Sequence, residues 1–526
     1  MALPVPSQLA ASQAALYRSQ FDAAIAAGTK RHYVVPYSLF GCVVLPVLYL
    51  CIPHTRRPWL YRARFLVVAV AMLSTARTMA VTSSSTITGA YGAGLVPTWC
   101  TLWTLYLLVW TRPQFEAARV ERRRRTKGQG GQQPGTAKTG PSGWVVDESL
   151  DATLEEWEYY WQPYPSSGTF LERLSWVMGL FLSFRGTGWT WQPRTFPAFQ
   201  GPSDVQSSEL VNLGSIPVVS PYGHRRYTTY REFFTTRLRI VAICYIVLDL
   251  MSVFSLNDPY WTLGPAGEQL YGLPPPLTRC PRPVIEVYRS ATAFCSIVAA
   301  LLCYATLQQV VVVALGPRLF GSRAQLWHQP DVFGPFGAVL DRGLGGFWGT
   351  WWHQTFRVGF SAPTEWMVRV GLLRPSGTAA ALVATFVAFA QSGIMHAAGS
   401  FTTVPETWAW APFIFFLLQF VGIAVEQALW AGVRRGMAAA GYEKGLPMRW
   451  KRVANFAFVA VWLHMTRPVL VDDFTRCGLF LFEAVPVSPA RAVGLGKGSD
   501  RAIWRGAQFI PGWHSGTHWW ESGFKS

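Results

Sequence analysis

The feature that most constrains the fold of this chain is a series of apolar runs, each close to the length that crosses a bilayer. A transmembrane helix needs roughly 20 mostly apolar residues. Runs near that length are Tyr33–Ile52, Arg64–Thr82, Gly94–Trp110, Leu238–Leu256, Ser290–Leu315, Thr378–Ala398, Trp408–Trp430 and Val453–Leu470. Two weaker patches, Leu174–Phe184 and Gly478–Val485, are too short to span, and the first suits an interfacial or re-entrant helix. The pattern predicts an all-α polytopic membrane protein with about eight or nine transmembrane helices.

The composition agrees with a membrane protein and disfavours other classes. Half of the 526 residues are hydrophobic and only 14% are charged, whereas soluble domains carry roughly 25% charged residues. The net charge of +18 does not indicate a nucleic-acid partner, because the basic clusters flank apolar runs as cytoplasmic membrane flanks do. The eight cysteines occur singly, without a Cys-x-x-Cys pair. They predict neither a disulfide framework nor a zinc site.

The basic residues also predict an orientation. Basic residues lie between the first two runs or at the start of the second (Arg56, Arg57, Arg62 and Arg64), and others follow the third (Arg119, Arg122 to Arg125 and Lys127). The positive-inside rule places residues 53–63 and 111–237 in the cytoplasm and the N-terminus in the lumen. Alternation then places residues 316–377 and the basic loop 434–452 in the cytoplasm as well. The Gly/Gln/Pro-rich stretch 128–143 is predicted to be a disordered linker.

A histidine, His396, lies deep inside the sixth apolar run. Ionisable groups at membrane depth are costly and usually face a cavity or a partner. Ser392 and Thr385 precede it by four and eleven residues, so the three polar groups share one helix face. Two interpretations are open. The face either binds neighbouring helices through its hydroxyls, or it lines a reaction cavity in which His396 is the general base.

The next run carries a second polar face. Gln419 and Glu426 are seven residues apart on it, and a carboxyl group there should meet a partner rather than lipid. Glu426 either orients a histidine or forms a structural pair with a buried arginine or with Asn455. His464 stands beside Arg467 without such a face, which favours a packed core residue.

The segment Phe347–Arg357 contains five tryptophans or phenylalanines, and Gly345, Gly346 and Gly349, just before it or within it, interrupt it too much for a plain span. Tryptophan favours the membrane interface, so we predict an interfacial or re-entrant segment with His353 at the cytoplasmic mouth of the bundle. His328 shares the Trp-His-Gln triplet but precedes Pro330, and is predicted to be structural or at the surface. His514 and His518 lie in a Gly/Trp-rich tail, where no metal site is predicted.

These segments carry a resemblance to a known family. Phe347–Gln354 reads Phe-Trp-Gly-Thr-Trp-Trp-His-Gln and resembles the Phe-Trp-Gly-Arg-Arg-Trp-His-Gln hallmark of the wax-synthase branch of the membrane-bound O-acyltransferases. Ser392–His396 is similar to the Ser-Gly-x-x-His motif of that branch. Trp327–Phe333 resembles the segment before the hallmark, Arg185–Trp189 its Arg-Gly-x-Gly-Trp element, and Phe416–Glu426 the helix that follows.

The resemblance also has departures, and it suggests a division of the chain. Thr350 and Trp351 replace the arginine pair of the hallmark, and Ala397 follows His396 where an acidic residue is common. The predicted parts are a leader (1–32), N-terminal transmembrane helices (33–111), a partly disordered cytoplasmic loop (112–170), the acyltransferase core (171–475) and a C-terminal tail (476–526).

The activity implied by this resemblance is transfer of an acyl group from acyl-CoA to an alcohol within the membrane. His396 would be the general base, and His353 would hold the thioester or donate to the oxyanion. Anionic CoA would be attracted by a mouth that contains Arg185, Arg342 and Arg357. The other predicted substrate or acyl-CoA contacts are Trp348, Trp352, Gln354, Ser392 and Glu426. Acyl-CoA is a co-substrate, and neither a bound cofactor nor a metal is required.

The acceptor is less defined than the chemistry. Chains that resemble this family commonly acetylate a terpenoid or polyketide intermediate of secondary metabolism in the endoplasmic reticulum membrane, and acetyl transfer is favoured here. Synthesis of long-chain wax or sterol esters is the alternative within the family. A polytopic transporter with His396 and Glu426 as a proton relay is the alternative from another class, but it does not explain the tryptophan-rich segment.

Overall fold

The computed structural model describes residues 8–55, 57–124, 157–442, 446–496, 502–506 and 510–525. In these residues, seven helices are long and apolar enough to cross a membrane. They are Pro58–Val81, Ile87–Trp110, Tyr230–Ser255, Arg282–Gly316, Thr378–Phe401, Trp410–Ala439 and Met448–Arg476. Each coincides with one of the predicted runs, so the all-α polytopic class is confirmed.

The first predicted run, Tyr33–Ile52, differs from the others. Its helical part covers only Tyr37–Leu50 and is too short to be counted as a span. It changes character along its length, from a 3₁₀ turn through a π-helical turn (Phe40–Val44) to a short α-helix. Pro36 and Pro53 bracket it, and proline disrupts helix propagation. Two residues of the run, Val34–Val35, form a strand instead.

The elements are numbered in chain order. The α-helices are α1 (Leu9–Ala26), α2 (Leu45–Leu50), α3 (Pro58–Arg62), α4 (Arg64–Val81), α5 (Ile87–Leu105), α6 (Pro113–Glu116), α7 (Phe170–Phe181), α8 (Tyr230–Ser255), α9 (Pro259–Leu263), α10 (Pro265–Tyr271), α11 (Arg282–Leu319), α12 (Gly337–Gly346), α13 (Arg357–Arg369), α14 (Thr378–Phe401), α15 (Trp410–Ala439), α16 (Met448–Arg476) and α17 (Pro489–Ala492). The strands are β1 (Arg31–His32), β2 (Val34–Val35), β3 (Thr82–Ser83), β4 (Ala118–Arg124), β5 (Trp157–Pro163), β6 (Gly512–His514) and β7 (Gly523–Lys525). Short 3₁₀ or π turns lie at Tyr37–Leu39, Phe40–Val44, Tyr106–Trp110, Leu213–Ser215, Gly321–Ala324, Leu326–His328, Phe347–Trp351, Leu479–Leu481 and Trp519–Glu521.

One end of the helix bundle gathers the loops that are predicted to be cytoplasmic. The side chain of Gln114, after the third run, accepts a hydrogen bond from the backbone N–H of His54 at 2.8 Å. The Tyr164 hydroxyl donates to the carbonyl of Leu50 at 3.0 Å, and Arg369, after the tryptophan-rich segment, donates to the carbonyl of Trp110 at 2.7 Å. The tryptophan-rich segment is therefore connected to the same end as the basic loops.

The other end gathers the loops that are predicted to be luminal. Ser83 donates to the carbonyl of Thr402 at 2.7 Å, and the Tyr17 hydroxyl donates to the carbonyl of Arg476 at 3.0 Å. Strand β7 in the C-terminal tail pairs with β2 and β6, so both chain ends meet there. This two-ended arrangement is the one that the alternation requires, and which end faces the cytoplasm stays a prediction.

The loop that we predicted for residues 112–170 is partly regular. Its first part forms β4 and its last part forms β5, paired antiparallel from Ala118 opposite Pro163 to Arg124 opposite Trp157. Arg119, in the basic stretch, is only 7% exposed and donates to Gln162 at 2.8 Å and to the carbonyl of Ser175 at 3.0 Å. The two strands form despite the many arginines, because apolar and aromatic residues such as Val120, Tyr159 and Trp161 are buried together in one cluster. The linker predicted at 128–143 lies outside the described residues.

Close packing of α5 against α14 joins the N-terminal helices to the core. A Cβ at Gly94 would collide with the carbonyl of Ala398, and a Cβ at Gly399 would lie 2.6 Å from the ring of Tyr91. Small residues at such contacts let two helices approach closely. The proposed division between residues 33–111 and 171–475 stays a prediction, but this interface places α5 beside His396.

Candidate active site

His396 lies on α14, inside the bundle, with defined neighbours on two sides. Its imidazole stacks on the ring of Phe416 from α15, with centroids 5.0 Å apart and planes 19° apart. Its Nδ1 lies 3.1 Å from the hydroxyl of Tyr91 on α5. The side chain is half-buried, and among the described residues its Nε2 has no hydrogen-bond partner. Nε2 is therefore the nitrogen left free for chemistry.

Tyr91 was not among the predicted site residues. It is 7% exposed, and its hydroxyl also lies 3.1 Å from the backbone carbonyl of His396. The two residues are 305 positions apart in the chain. The sequence carried no signal for this contact, because a tyrosine near the start of an apolar run is unremarkable and the pairing of α5 with α14 depends on tertiary packing.

The tryptophan-rich segment is a π-helical turn, Phe347–Trp351, followed by extended backbone at Trp352. Gln354 folds back over this turn. Its side-chain amide donates to the carbonyls of Trp348 at 3.0 Å and Trp352 at 2.6 Å, and its oxygen accepts from Arg357 at 2.8 Å. Gln354 and Arg357 therefore fix the backbone on either side of His353.

Arginines hold this turn from both of its flanks. Arg357 also donates to the carbonyl of Gly349 at 2.7 Å. From α12, Arg342 donates to the hydroxyl of Thr350 at 2.5 Å, and Thr350 is 1% exposed. Although Thr350 replaces an arginine of the family hallmark, a guanidinium group still lies beside this position, supplied from another helix.

His353 is enclosed by aromatic rings. The nearest are Trp352, Phe356 and Phe333, with centroids 5.3, 5.6 and 6.1 Å away. Burial and then the charge of His396 lower the pKa of His353 to about 4. Desolvation and a neighbouring cation both disfavour imidazolium. His353 is therefore a neutral imidazole near pH 7, able to donate one N–H bond but not to act as a fixed positive charge.

A continuous series of ring contacts joins the two histidines. It runs from His353 to Trp352 (5.3 Å between centroids), Trp348 (5.3 Å), Phe416 (6.1 Å) and His396 (5.0 Å). The tryptophan-rich turn thus reaches α15 and the core of the bundle. The sequence predicted both histidines at one membrane entry, and the structure connects them through this series of three intervening aromatic rings.

Glu426 supports the site without touching either histidine. It is 5% exposed, and one carboxylate oxygen accepts the backbone N–H of Leu344 at 2.9 Å. Gly343, with φ +57°, makes room for this contact, because a Cβ there would collide with the carboxylate. Asn455 binds elsewhere, donating to the carbonyl of Leu340 at 2.8 Å. Glu426 therefore fixes the end of α12, from which the tryptophan-rich turn begins.

The remaining predicted residues lie at varying distances from this centre. Ser392 is half-buried one helical turn before His396, with no hydrogen bond among the described residues. Thr385 donates to the carbonyl of Ala381 in its own helix at 2.7 Å. Gln419 donates to Thr466 at 3.2 Å, which joins α15 to α16. The predicted polar faces are thus used partly for packing.

Arg185 lies in the loop region that is predicted to be cytoplasmic. Its guanidinium donates to the carbonyl of Pro330 at 3.2 Å and covers the ring of Phe196. Burial and the charge of Arg237 lower the pKa of Arg185 to about 10. It stays positively charged at neutral pH, so it contributes to the potential at the mouth.

Three histidines that the sequence analysis placed outside the site have contacts elsewhere in the structure. His328 packs against Trp327 with centroids 5.3 Å apart, and burial lowers its pKa to about 3. The side chain is half-buried, so the prediction that His328 is structural or at the surface stands as made. His464 lies 2.8 Å from the hydroxyl of Ser290 on α11. The ring of His514 in β6 contacts the ring of His32 in β1.

A separate polar cavity of about 400 Å³ lies between α9, α10, α11 and α16 and contains neither His353 nor His396. Its charged lining is paired internally: Arg289 with Glu268 at 2.7 Å, and Arg467 with Glu286 at 2.5 Å. These ion pairs connect α10, α11 and α16.

Across the described residues, no three His, Cys, Asp or Glu side chains are grouped so that they could hold a metal ion.

A family model and several known proteins are similar to parts of this chain. Residues 327–418, which contain both histidines, match the model of the Membrane bound O-acyl transferase family. Acetyltransferase ple2 of Rhodocybe pseudopiperita is 27% identical over 302 residues, covering 57% of this chain and 68% of that protein. Acetyltransferase pyr8 of Aspergillus fumigatus is 24% identical over 346 residues, covering 62% of this chain and 71% of the relative. Acetyltransferase spyB of the same species is 32% identical, but over only 26% of this chain and 25% of its own length. No solved structure matches the chain.

Proposed function

We propose that the chain is an acyltransferase of the Membrane bound O-acyl transferase family, whose model matches residues 327–418, and that it moves an acetyl group from acetyl-CoA to a hydroxyl of a lipophilic alcohol. The single observation that carries this proposal is the continuous series of aromatic rings that connects His353 to His396, with Nε2 of His396 free of hydrogen bonds among the described residues. The acceptor in this proposal is a terpenoid or polyketide intermediate, and the protein is a multi-pass enzyme of the endoplasmic reticulum.

In the proposed reaction His396 acts as general base. The acceptor hydroxyl gives its proton to Nε2 as its oxygen attacks the thioester carbonyl. The resulting tetrahedral oxyanion collapses, the carbon–sulfur bond breaks, and the proton passes from the imidazolium to the CoA thiolate. The products are an ester and CoA with a free thiol. Nε2 of His396 must be unprotonated before the reaction begins. The low-dielectric interior of a helix bundle favours the neutral form of an imidazole.

His353 serves the acyl donor in this scheme. A neutral imidazole held by a rigid backbone can donate its N–H to the developing oxyanion or to the pantetheine. The rigidity comes from Gln354 and Arg357, whose hydrogen bonds fix the turn on both sides of it. Arg342, Arg357 and Arg185 give the mouth a positive potential that attracts the phosphates of CoA.

Acetyl is the proposed acyl group because two relatives that this chain matches over two thirds or more of their length are named acetyltransferases. A long-chain ester synthase remains the alternative within the family. The transporter alternative needs a relay between His396 and Glu426. Glu426 instead binds the backbone of Leu344, and within the described part of the chain no contact connects the two side chains.

The test is acyl transfer by the purified protein in lipid nanodiscs. Acetyl-, octanoyl- and palmitoyl-CoA, each labelled in the acyl carbonyl, are offered with a panel of hydroxylated terpenoids and polyketides, a sterol and a long-chain alcohol. We expect a labelled acetate ester with one CoA thiol released per ester. Palmitoyl esters of the sterol or fatty alcohol, with no acetate ester, would refute the acetyl assignment. No ester from any pair, with a folded protein, would count against the whole proposal.

A further inference from the structure

We propose that Tyr91 is a positioning residue that sets which nitrogen of His396 is the base. This inference rests on the proposed function and adds a residue outside the family-matched segment, residues 327–418. In the arrangement we infer, the Nδ1–H of His396 donates to the oxygen of Tyr91. The Tyr91 hydroxyl donates in turn to the backbone carbonyl of His396.

The number of hydrogens available to Tyr91 determines which ring nitrogen of His396 carries the proton. A tyrosine hydroxyl has one hydrogen to donate and lone pairs that accept. Its oxygen lies 3.1 Å from Nδ1 and 3.1 Å from the carbonyl oxygen of the same residue. The carbonyl can only accept, whereas Nδ1 can donate or accept. Both contacts are hydrogen bonds at the same time only if the tyrosine hydrogen goes to the carbonyl and Nδ1 carries the imidazole proton and donates it to the tyrosine oxygen.

This arrangement selects the catalytic tautomer. Neutral imidazole carries one N–H, and the hydrogen bond made by one nitrogen determines which nitrogen is protonated. With the proton on Nδ1, Nε2 presents a lone pair. Nε2 is also the nitrogen that has no hydrogen-bond partner among the described residues. If Tyr91 were absent, part of the population would carry the proton on Nε2 and could not take a proton from the acceptor.

The packing around Tyr91 holds its hydroxyl in place. Its ring meets Gly399, where a Cβ would be 2.6 Å away, and it contacts the edge of Phe474 with centroids 5.7 Å apart. Phe416 stacks on the imidazole. The imidazole is therefore restrained at its face by Phe416 and at Nδ1 by Tyr91. Such outer contacts that orient a functional histidine have measurable effects on activity.

The test compares Tyr91→Phe with a matched control, Tyr164→Phe. Tyr164 is also buried and its hydroxyl also donates to a backbone carbonyl, that of Leu50 at 3.0 Å, but it lies outside the site. Both variants keep their rings and lose one hydroxyl. Since one hydrogen bond is worth about tenfold at most, we expect kcat of Tyr91→Phe to fall about tenfold with KM for acetyl-CoA unchanged. Tyr164→Phe should keep the wild-type kcat.

A spectroscopic signature separates positioning from mere stability. The ¹⁵N signals of His396, assigned by their loss in His396→Ala, report which ring nitrogen carries the proton. We expect a single Nδ1–H form in the wild type and in Tyr164→Phe, and a mixture in Tyr91→Phe. Should Tyr91→Phe not be recovered folded, Gly399→Ala provides the second variant, because its Cβ displaces the tyrosine ring.

The outcomes are distinguishable. Wild-type kcat in Tyr91→Phe, with His396→Ala inactive, would overturn the positioning role and leave the proposed function intact. A lower kcat with unchanged ¹⁵N signals would overturn the tautomer assignment. Full activity in both Tyr91→Phe and His396→Ala would instead refute His396 as the base, whereas the absence of any ester from the folded wild type would refute the proposed function.

Discussion

Glu426 offers the sharpest test of how the site is supported, because its two possible roles predict opposite effects of one substitution. In the structure its carboxylate accepts the N–H of Leu344, a residue that is 0% exposed. A structural acceptor can be replaced by an amide oxygen. A catalytic acid or a relay group cannot, because an amide does not exchange a proton near neutral pH.

The magnitudes follow from the contacts. Glu426→Ala leaves the Leu344 N–H buried without a partner, which costs about 1–3 kcal/mol. Loss of the buried methylene adds about 0.8 kcal/mol, so the end of α12 is destabilised by roughly 2–4 kcal/mol in total. Glu426→Gln keeps an acceptor for Leu344 and removes a buried charge whose other oxygen has no hydrogen-bond partner. We expect it to be as stable as the wild type or more so.

The assay measures thermal unfolding and acetyl transfer on the same nanodisc preparations. Glu426→Gln should keep turnover within about threefold of the wild type, whereas Glu426→Ala should lose at least tenfold and unfold at a lower temperature. A general acid or base contributes about 10² to 10⁴. If Glu426→Gln lost that much activity while remaining as stable as the wild type, the structural role would be refuted and the proton-relay alternative revived.

Three further predictions concern the donor side and the topology. His353→Ala should lower turnover about 10²-fold, as removal of an oxyanion donor does, whereas His328→Ala should leave turnover unchanged and lower only stability; equal effects on turnover would contradict the assignment. Because His353 has a pKa of about 4, it stays neutral from pH 8 to 6, so KM for acetyl-CoA should be constant over that range; a KM that rises with pH, as an imidazolium losing its charge would cause, would contradict the neutral state. Deletion of residues 128–143 should preserve activity, and a cysteine at Gly130 should react with an impermeant maleimide only from the cytoplasmic side of sealed microsomes; luminal labelling would invert the predicted orientation.

The sequence predicted the helices well because a bilayer imposes a length that composition reveals. Seven predicted runs coincide with the long helices, and the first run is wrong in extent because prolines bracket it. The strands β4 and β5 were not predicted, because the arginine-rich composition hid the few residues that are buried in the strand pair. Val120 of β4 and Trp161 of β5 are two of them.

For the proposed site, the two histidines to which we assign the chemistry were easier to predict than the residues that support them. His353 and His396 are ionisable groups in apolar or aromatic surroundings, and that contrast is visible along the chain. The partners of Tyr91 and Glu426 are a histidine 305 residues away and a backbone N–H 82 residues away. Neither partner leaves a local pattern, since both contacts arise when packed helices bring distant residues together.

The central claim is that Nε2 of His396 removes the acceptor proton. The most direct measurement is single-turnover acetyl transfer by His396→Ala and by the wild type, in nanodiscs, with acetyl-CoA binding measured separately on both. We predict that His396→Ala binds acetyl-CoA as the wild type does, stays folded, and transfers the acetyl group at least about 10²-fold more slowly. Transfer by His396→Ala at more than about half of the wild-type rate would contradict the assignment of His396 as the general base.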